Sequence, residues 1–179
     1  MVMMQHRSAS SGMKRWGGTT PLALLGKGPG PLSNPLGVAV TLAYVVGALL
    51  VLWSTYIHFH LWNETDGYRH IPTIGPLFLA QSIGGLVVGI LIVAVRRVWV
   101  AVIGLGFAVS TLVGYLLTVG LAKGLFNFKE SWAAPFAGLA FAVEIAAAAV
   151  LLVAAALCLL QSASTVRSGS APIGASSGA

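Results

Sequence analysis

Four long apolar runs dominate this chain: Leu36 to Leu61, Pro76 to Val95, Val98 to Leu121 and Ala134 to Leu160. A membrane span needs about 20 mainly apolar residues, and each run reaches that length. Lipid offers no water to backbone N–H and C=O groups, so each run must satisfy its own as a helix, β-branched Val and Ile included. The rest of the composition agrees. Charged residues make up 8% of the chain and hydrophobic ones 57%, whereas a soluble domain carries about 25% charged residues. Too few charges remain to cover a water-facing surface. A soluble globular enzyme, a disordered tail protein and a nucleic-acid-binding domain are thereby excluded. The expected fold class is all-α, a transmembrane four-helix bundle whose first partner is the lipid bilayer.

The ends of the runs carry their own marks. Pro35 sits at the first turn of the first helix, Thr73 and Gly75 precede Pro76, and Pro135 opens the fourth. Proline in a first turn costs no intrahelical hydrogen bond. Arg96-Arg97 divides the second run from the third, because one helix through both would bury adjacent arginines in lipid. The spans are thus expected at 36–61, 76–95, 98–121 and 134–160, within a membrane domain over 35–160. Residues 1–34 and 161–179 are rich in Gly, Pro and Ser and read as flexible cytoplasmic tails that bury too little apolar surface to order. The first run is too long for a cleaved signal core and is expected to stay as a signal anchor. Met1 and Met13 both remain candidates for the start. No repeat of fixed period is found.

The net charge of +6 comes from cations placed between the runs. With the N-terminus in the cytoplasm, the inner side carries Arg7, Lys14, Arg15, Lys27, Arg96, Arg97 and Arg167, and the outer side Arg69, Lys123 and Lys129. The excess favours N-in and C-in. Cys158 is the single cysteine, so no internal disulfide forms, and it reads as a small packed side chain.

Helices in lipid associate where small residues recur four apart. Gly85 and Gly89 form such a pair in the second run, and Gly106, Ser110, Gly114 and Thr118 a stripe in the third. The first run offers Ala39, Ala43 and Gly47, and the fourth Gly138, Ala142 and Ala146. A compact bundle is the plain reading, with a larger partner as the alternative neighbour for some stripes. The fourth run is so rich in alanine that its inward face is not readable.

The densest polar cluster follows the first run: His58, His60, Glu64, Asp66, Tyr68, Arg69 and His70. Imidazole and carboxylate suit zinc or copper. The spacing works against shared ligation, since each helical step turns about 100° and places His58 and His60 on different faces. A hydrogen-bonded cap with Tyr56 and Trp62 in the interfacial belt is the plainer reading. Haem ligation needs histidines on facing helices, and no second span offers one.

Glu144 is the single acid within a span, about ten residues and roughly 13–15 Å into the fourth run. A carboxylate there must be neutral, paired or wet, and is a functional candidate by default. Tyr115 and Gln81 are its expected partners by depth. The roles open to Glu144 are a structural hydrogen bond and a proton relay. The second outer loop, with Lys123, Phe126, Phe128, Lys129, Glu130 and Trp132, fits an interfacial anchor that could lie against the first. No nucleophile–base pair, phosphate loop, dinucleotide fingerprint or zincin motif is present. No catalytic residue and no cofactor are expected.

His58-x-His60-Leu-Trp, Gly67-Tyr68-Arg69 and Ile71-Pro72-Thr73-Ile74-Gly75-Pro76-Leu77-Phe78 resemble a group of small four-span membrane proteins of actinobacteria. The resemblance implies a bacterial plasma membrane and an outward-facing histidine motif, and transfers no catalytic role. The functional expectation is a non-enzymatic accessory or assembly subunit of a larger envelope or respiratory complex, packed on other membrane subunits. The rivals are a small transporter or proton-coupled protein using Glu144, and a metal-handling protein using the outer histidines.

Overall fold

A computed structural model describes residues 21–168. The expectations for Arg7, Lys14, Arg15, the two possible starts and residues 169–179 lie outside the described residues. Among the described residues the structure is helical: α1 (Pro21–Leu25), α2 (Pro35–Asn63), a 3-10 turn (Tyr68–His70), α3 (Ile74–Val95), α4 (Val98–Gly120) and α5 (Ala137–Ser168). Four of these helices, α2 to α5, are long and apolar enough to cross a membrane. The chain is an all-α, four-helix membrane-spanning bundle.

Local chemistry fixes most of the ends. Asn34 caps α2, its side-chain oxygen accepting from the Leu36 N–H at 2.9 Å, and Pro35 follows where no N–H is needed. Arg96 takes a left-handed conformation (φ 47°) and its N–H returns to the Ile92 carbonyl at 3.2 Å, so α3 stops and α4 begins two residues later. The split at Arg96-Arg97 is therefore a tight antiparallel turn.

Two expectations are corrected here. The fourth span starts at Ala137 and not at residue 134, because Phe136 is left-handed (φ 62°) and the residues before it form turns. The helix also runs to Ser168, past the expected end at 160. The flexible-tail reading fails for residues 21–34 and 161–168. The Gly30 N–H donates to Gln161 Oε1 at 3.2 Å, the Val98 N–H to the Lys27 carbonyl at 2.9 Å, and the Arg97 guanidinium to the Gly26 carbonyl at 2.6 Å. These bonds strap the segment before α2 across the arginine-bearing end of the bundle.

The helices form a ring. α2 packs against α3 and α5, α4 packs against α5 and over a shorter stretch against α3, and α2 and α4 lie across the diagonal. The core fills the arginine-bearing half and the middle, around Val40, Tyr44, Ala48, Val51, Ile92, Leu151, Ala154 and Cys158. A methyl group at Gly47 would stand 2.6 Å from Leu151 Cδ2, and one at Gly89 would stand 2.7 Å from Leu52 Cγ. Backbones approach closely at both places, as the small-residue argument requires for Gly89 and its neighbour Gly85. The stripe on α4 behaves differently. Gly106 and Gly114 have nothing within 4 Å of an added methyl group, and Ser110 is exposed. Thr118 is buried, and Ser110, Gly114 and Thr118 border a cavity, so among the described residues the reading that this stripe makes a close helix contact is corrected at Gly106, Ser110 and Gly114 only.

Candidate functional site

Toward the end that bears the histidines, α3 and α4 separate. The Phe107 ring lies against Gly84 and Gly85, and Gln81 donates to the Thr111 hydroxyl across the gap. Beyond that bridge the helices enclose a cavity of about 370 Å³ with α5. Tyr68 of the 3-10 turn and residues of the α4–α5 loop line its end toward the histidines.

Glu144 does not line this space but stands behind His58, which does. It stands on α5 seven residues after Ala137, about 10 Å along the axis, and only 3% of it is exposed. Its partners differ from those expected. The Ser54 hydroxyl, on α2, donates to Glu144 Oε1 at 3.0 Å, and His58 Nε2, one turn further along α2, stands 3.8 Å from the same oxygen. His58 Nδ1 lies 2.9 Å from the Ser54 carbonyl. A carbonyl only accepts, so Nδ1 carries the hydrogen and Nε2 presents its lone pair toward Glu144. At 3.8 Å the two groups are not hydrogen-bonded, and a single proton on either the carboxyl or Nε2 would leave the pair without net charge. That satisfies the demand lipid makes on a buried acid.

The expected pairing of Glu144 with Tyr115 and Gln81 is thus corrected. The Tyr115 hydroxyl points to the α4–α5 loop and donates to the Ser131 carbonyl at 3.4 Å, while its ring meets Trp132 edge-on at 5.0 Å. Gln81 is taken by Thr111. Both line the cavity without reaching Glu144. Ser54 was legible as the residue one turn before His58 on the same face of an otherwise apolar helix, a signal that reasoning by depth passed over.

The histidine cluster does not converge. Among the described residues no group of three or more His, Cys, Asp or Glu could hold a metal ion. His58 faces inward. His60 faces outward, paired with Glu64 at 3.0 Å and stacked on Tyr56. The Arg69 Nε–H donates to His70 Nε2 at 2.9 Å on the exposed side of the turn, and Asp66 is exposed in the loop before it. The 200° separation of His58 and His60 is what the helix imposes.

Tyr68 is the residue of that cluster that enters the site. Its ring stacks on Phe78 at 4.3 Å and meets Phe128 edge-on at 5.8 Å. Its hydroxyl donates to Glu130 Oε2 at 2.5 Å, while Glu130 Oε1 accepts from the Ser131 N–H at 2.8 Å. Burial, and next the adjoining Glu130 carboxylate, push the Tyr68 phenol well above the usual tyrosine range. The two loops therefore form one surface, joined at Tyr68 and Glu130. The α4–α5 loop is held by a two-residue reversal. Leu125 and Phe128 exchange backbone hydrogen bonds at 3.0 and 2.9 Å around Phe126 (φ 55°) and Asn127 (φ 61°). Both central residues are left-handed, as a type I′ turn requires. Asn tolerates that conformation, whereas bulky Phe126 does so at a cost, and Phe126 lines the cavity. Ser54 and Thr111 are the site residues that sequence reasoning left out, and Glu130 was placed in an interfacial anchor without its bond to Tyr68.

The chain is thus a four-span membrane protein with a buried Ser54–His58–Glu144 cluster beside an open cavity; compared with protein-family models, curated proteins and solved structures, it matches none.

Proposed function

We propose that this chain is a non-enzymatic accessory or assembly subunit of a larger membrane complex, held in a bacterial plasma membrane with both termini in the cytoplasm. The observation that carries the reading is the open small-residue face of α4. Among the described residues nothing stands within 4 Å of a methyl group added at Gly106 or Gly114, and Ser110 is exposed, whereas Gly47 and Gly89 are closed by Leu151 and Leu52; Ser110 and Gly114 also border the cavity, so this open face is continuous with it. In lipid such a face lets a second helix backbone approach closely. The orientation rests on the cation count, and the bacterial setting on the resemblance to small actinobacterial four-span proteins. An envelope or respiratory complex is the setting that the resemblance and the want of catalytic motifs leave open.

A photo-crosslinking amino acid at position 106 or 114, compared with one at lipid-facing Ile83 or Ile90, tests this in native membranes. The reading expects a discrete adduct with one other membrane-spanning protein from the α4 positions only, migrating with it on a native gel. Adducts with lipid alone, or with a second copy of this chain alone, would sink it.

A second reading has its own observation. His58 belongs both to the buried cluster with Glu144 and to the cavity wall, so a proton on that pair has a route toward the histidine-bearing end. A proton-coupled role would use Glu144 as carrier. Proteoliposomes with a pH gradient test it: Glu144→Gln should abolish a proton flux that the unaltered chain supports.

A further inference from the structure

The cavity between α3, α4 and α5 has polar walls whose hydrogens are nearly all committed to the protein itself. Ser110 and Thr111 donate to the Phe107 carbonyl at 2.7 and 3.1 Å, and Thr118 to the Gly114 carbonyl at 2.8 Å. Tyr115 donates to the Ser131 carbonyl and Tyr68 to Glu130. Gln81 gives one amide hydrogen to Thr111, and His58 directs Nδ1–H to the Ser54 carbonyl. What the lining retains is acceptors: the Glu130 carboxylate and the Tyr68 oxygen. Beside them stand the rings of Phe78, Phe126 and Phe128. Among the described residues no Lys or Arg lines the cavity.

Such a wall accepts and hardly donates. An anion would meet a carboxylate and no cation, which is repulsive in a low-dielectric site. A neutral carbonyl compound would find only the second amide hydrogen of Gln81. A cation meets the opposite situation: a counter-ion in Glu130 and aromatic rings whose quadrupoles attract positive charge. The volume falls in the usual range for small-molecule sites, about 300–1,000 Å³.

We propose that this cavity is a binding site for a monovalent organic cation with an apolar body, an aryl- or alkyl-ammonium compound, with Glu130 as its counter-ion and the aromatic rings as its seat. Ser110 and Gly114 border both this cavity and the α4 face proposed for a partner, so the site is tested on the chain without a partner.

The test uses the full chain in lipid nanodiscs, with empty nanodiscs as the control for partitioning. Benzyltrimethylammonium, its uncharged carbon isostere neopentylbenzene and the anion phenylmethanesulfonate are titrated by ligand-observed NMR. The expected result is saturable binding of the ammonium compound alone, and a dissociation constant raised about tenfold by Glu130→Gln, equivalent to about 1.4 kcal/mol. Equal binding of the isostere would make the cavity merely apolar, and preferential binding of the sulfonate would reverse its charge preference; either overturns the proposal. So does absence of binding by the ammonium compound. If Glu130→Gln fails to fold, the three-ligand comparison on the unaltered chain decides alone.

Discussion

The Ser54 hydroxyl and the Glu144 carboxyl are 90 residues apart in sequence and 3.0 Å apart in the bundle. Their bond joins α2 to α5 where the core gives way to the cavity. Ser54→Ala removes the donor and leaves a buried oxygen short of a partner. Interhelical hydrogen bonds in membranes contribute about 0.6 kcal/mol on average and up to about 1.7, so a loss in that range is expected. Glu144→Gln keeps a carbonyl oxygen for Ser54 and should cost less than Ser54→Ala. Helical circular dichroism followed through titration with sodium dodecyl sulfate measures both; an unchanged midpoint for Ser54→Ala would show that the bond contributes nothing.

The glycines divide into two behaviours. Gly47→Ala drives a methyl group to 2.6 Å from Leu151, a fully buried side chain, and overpacking of that kind typically costs about 1–3 kcal/mol. Gly114→Ala meets nothing within 4 Å and should leave the isolated chain's unfolding unchanged or slightly stabilised. The same detergent titration separates them, and equal losses at both positions would contradict the closeness of α2 to α5.

Tyr68 supplies a pH dependence. Its phenol is raised in the folded chain by burial and by Glu130, so the folded state holds the proton more tightly than the unfolded state. The resulting stability is present in full below the ordinary tyrosine value of about 10 and is lost as pH rises toward the folded value. The difference in unfolding temperature between the unaltered chain and Tyr68→Phe should be constant to about pH 9 and shrink above about pH 10. A difference that grows with alkalinity would reverse the sign and refute the assignment.

Sidedness is open to direct labelling, because Cys158 is fully buried and gives little background. Cysteine placed at Lys123 should react with a membrane-impermeant maleimide added to intact cells. Cysteine placed at Lys27 should react only after permeabilisation. The opposite pattern would invert the proposed topology.

The four spans were legible because lipid leaves the backbone so few choices: apolar run length alone fixes a helix. The Arg96-Arg97 turn was legible for the same reason, since two adjacent charges cannot sit in hydrocarbon. Glu144 stood out as the one acid in a span, but its neighbours did not. A helix that is apolar all round carries no mark of its rotation, so depth alone pointed to Tyr115 and Gln81, while rotation brought Ser54 and His58. The end of α5 was hidden because residues 161–168 look like tail by composition. Gln161, which accepts from Gly30, is what ties that turn to the segment before α2. Glu130 was read as an interfacial anchor because its bond to Tyr68 depends on the left-handed turn at Phe126 and Asn127, which no composition argument reaches.

The apolar packing around Ala48, Val51, Ala147 and Leu151 has an electrical meaning. A transmembrane voltage falls mainly across the part of a protein that holds neither water nor mobile charge, and here that insulator occupies the arginine-bearing half and the middle. A full crossing is worth about 2.3 kcal/mol per charge at 100 mV. A cation held near Glu130 would have traversed only the outer fringe of that drop, so its occupancy should respond weakly to voltage. A proton carried onward from Glu144 to the far side would have to traverse nearly all of it.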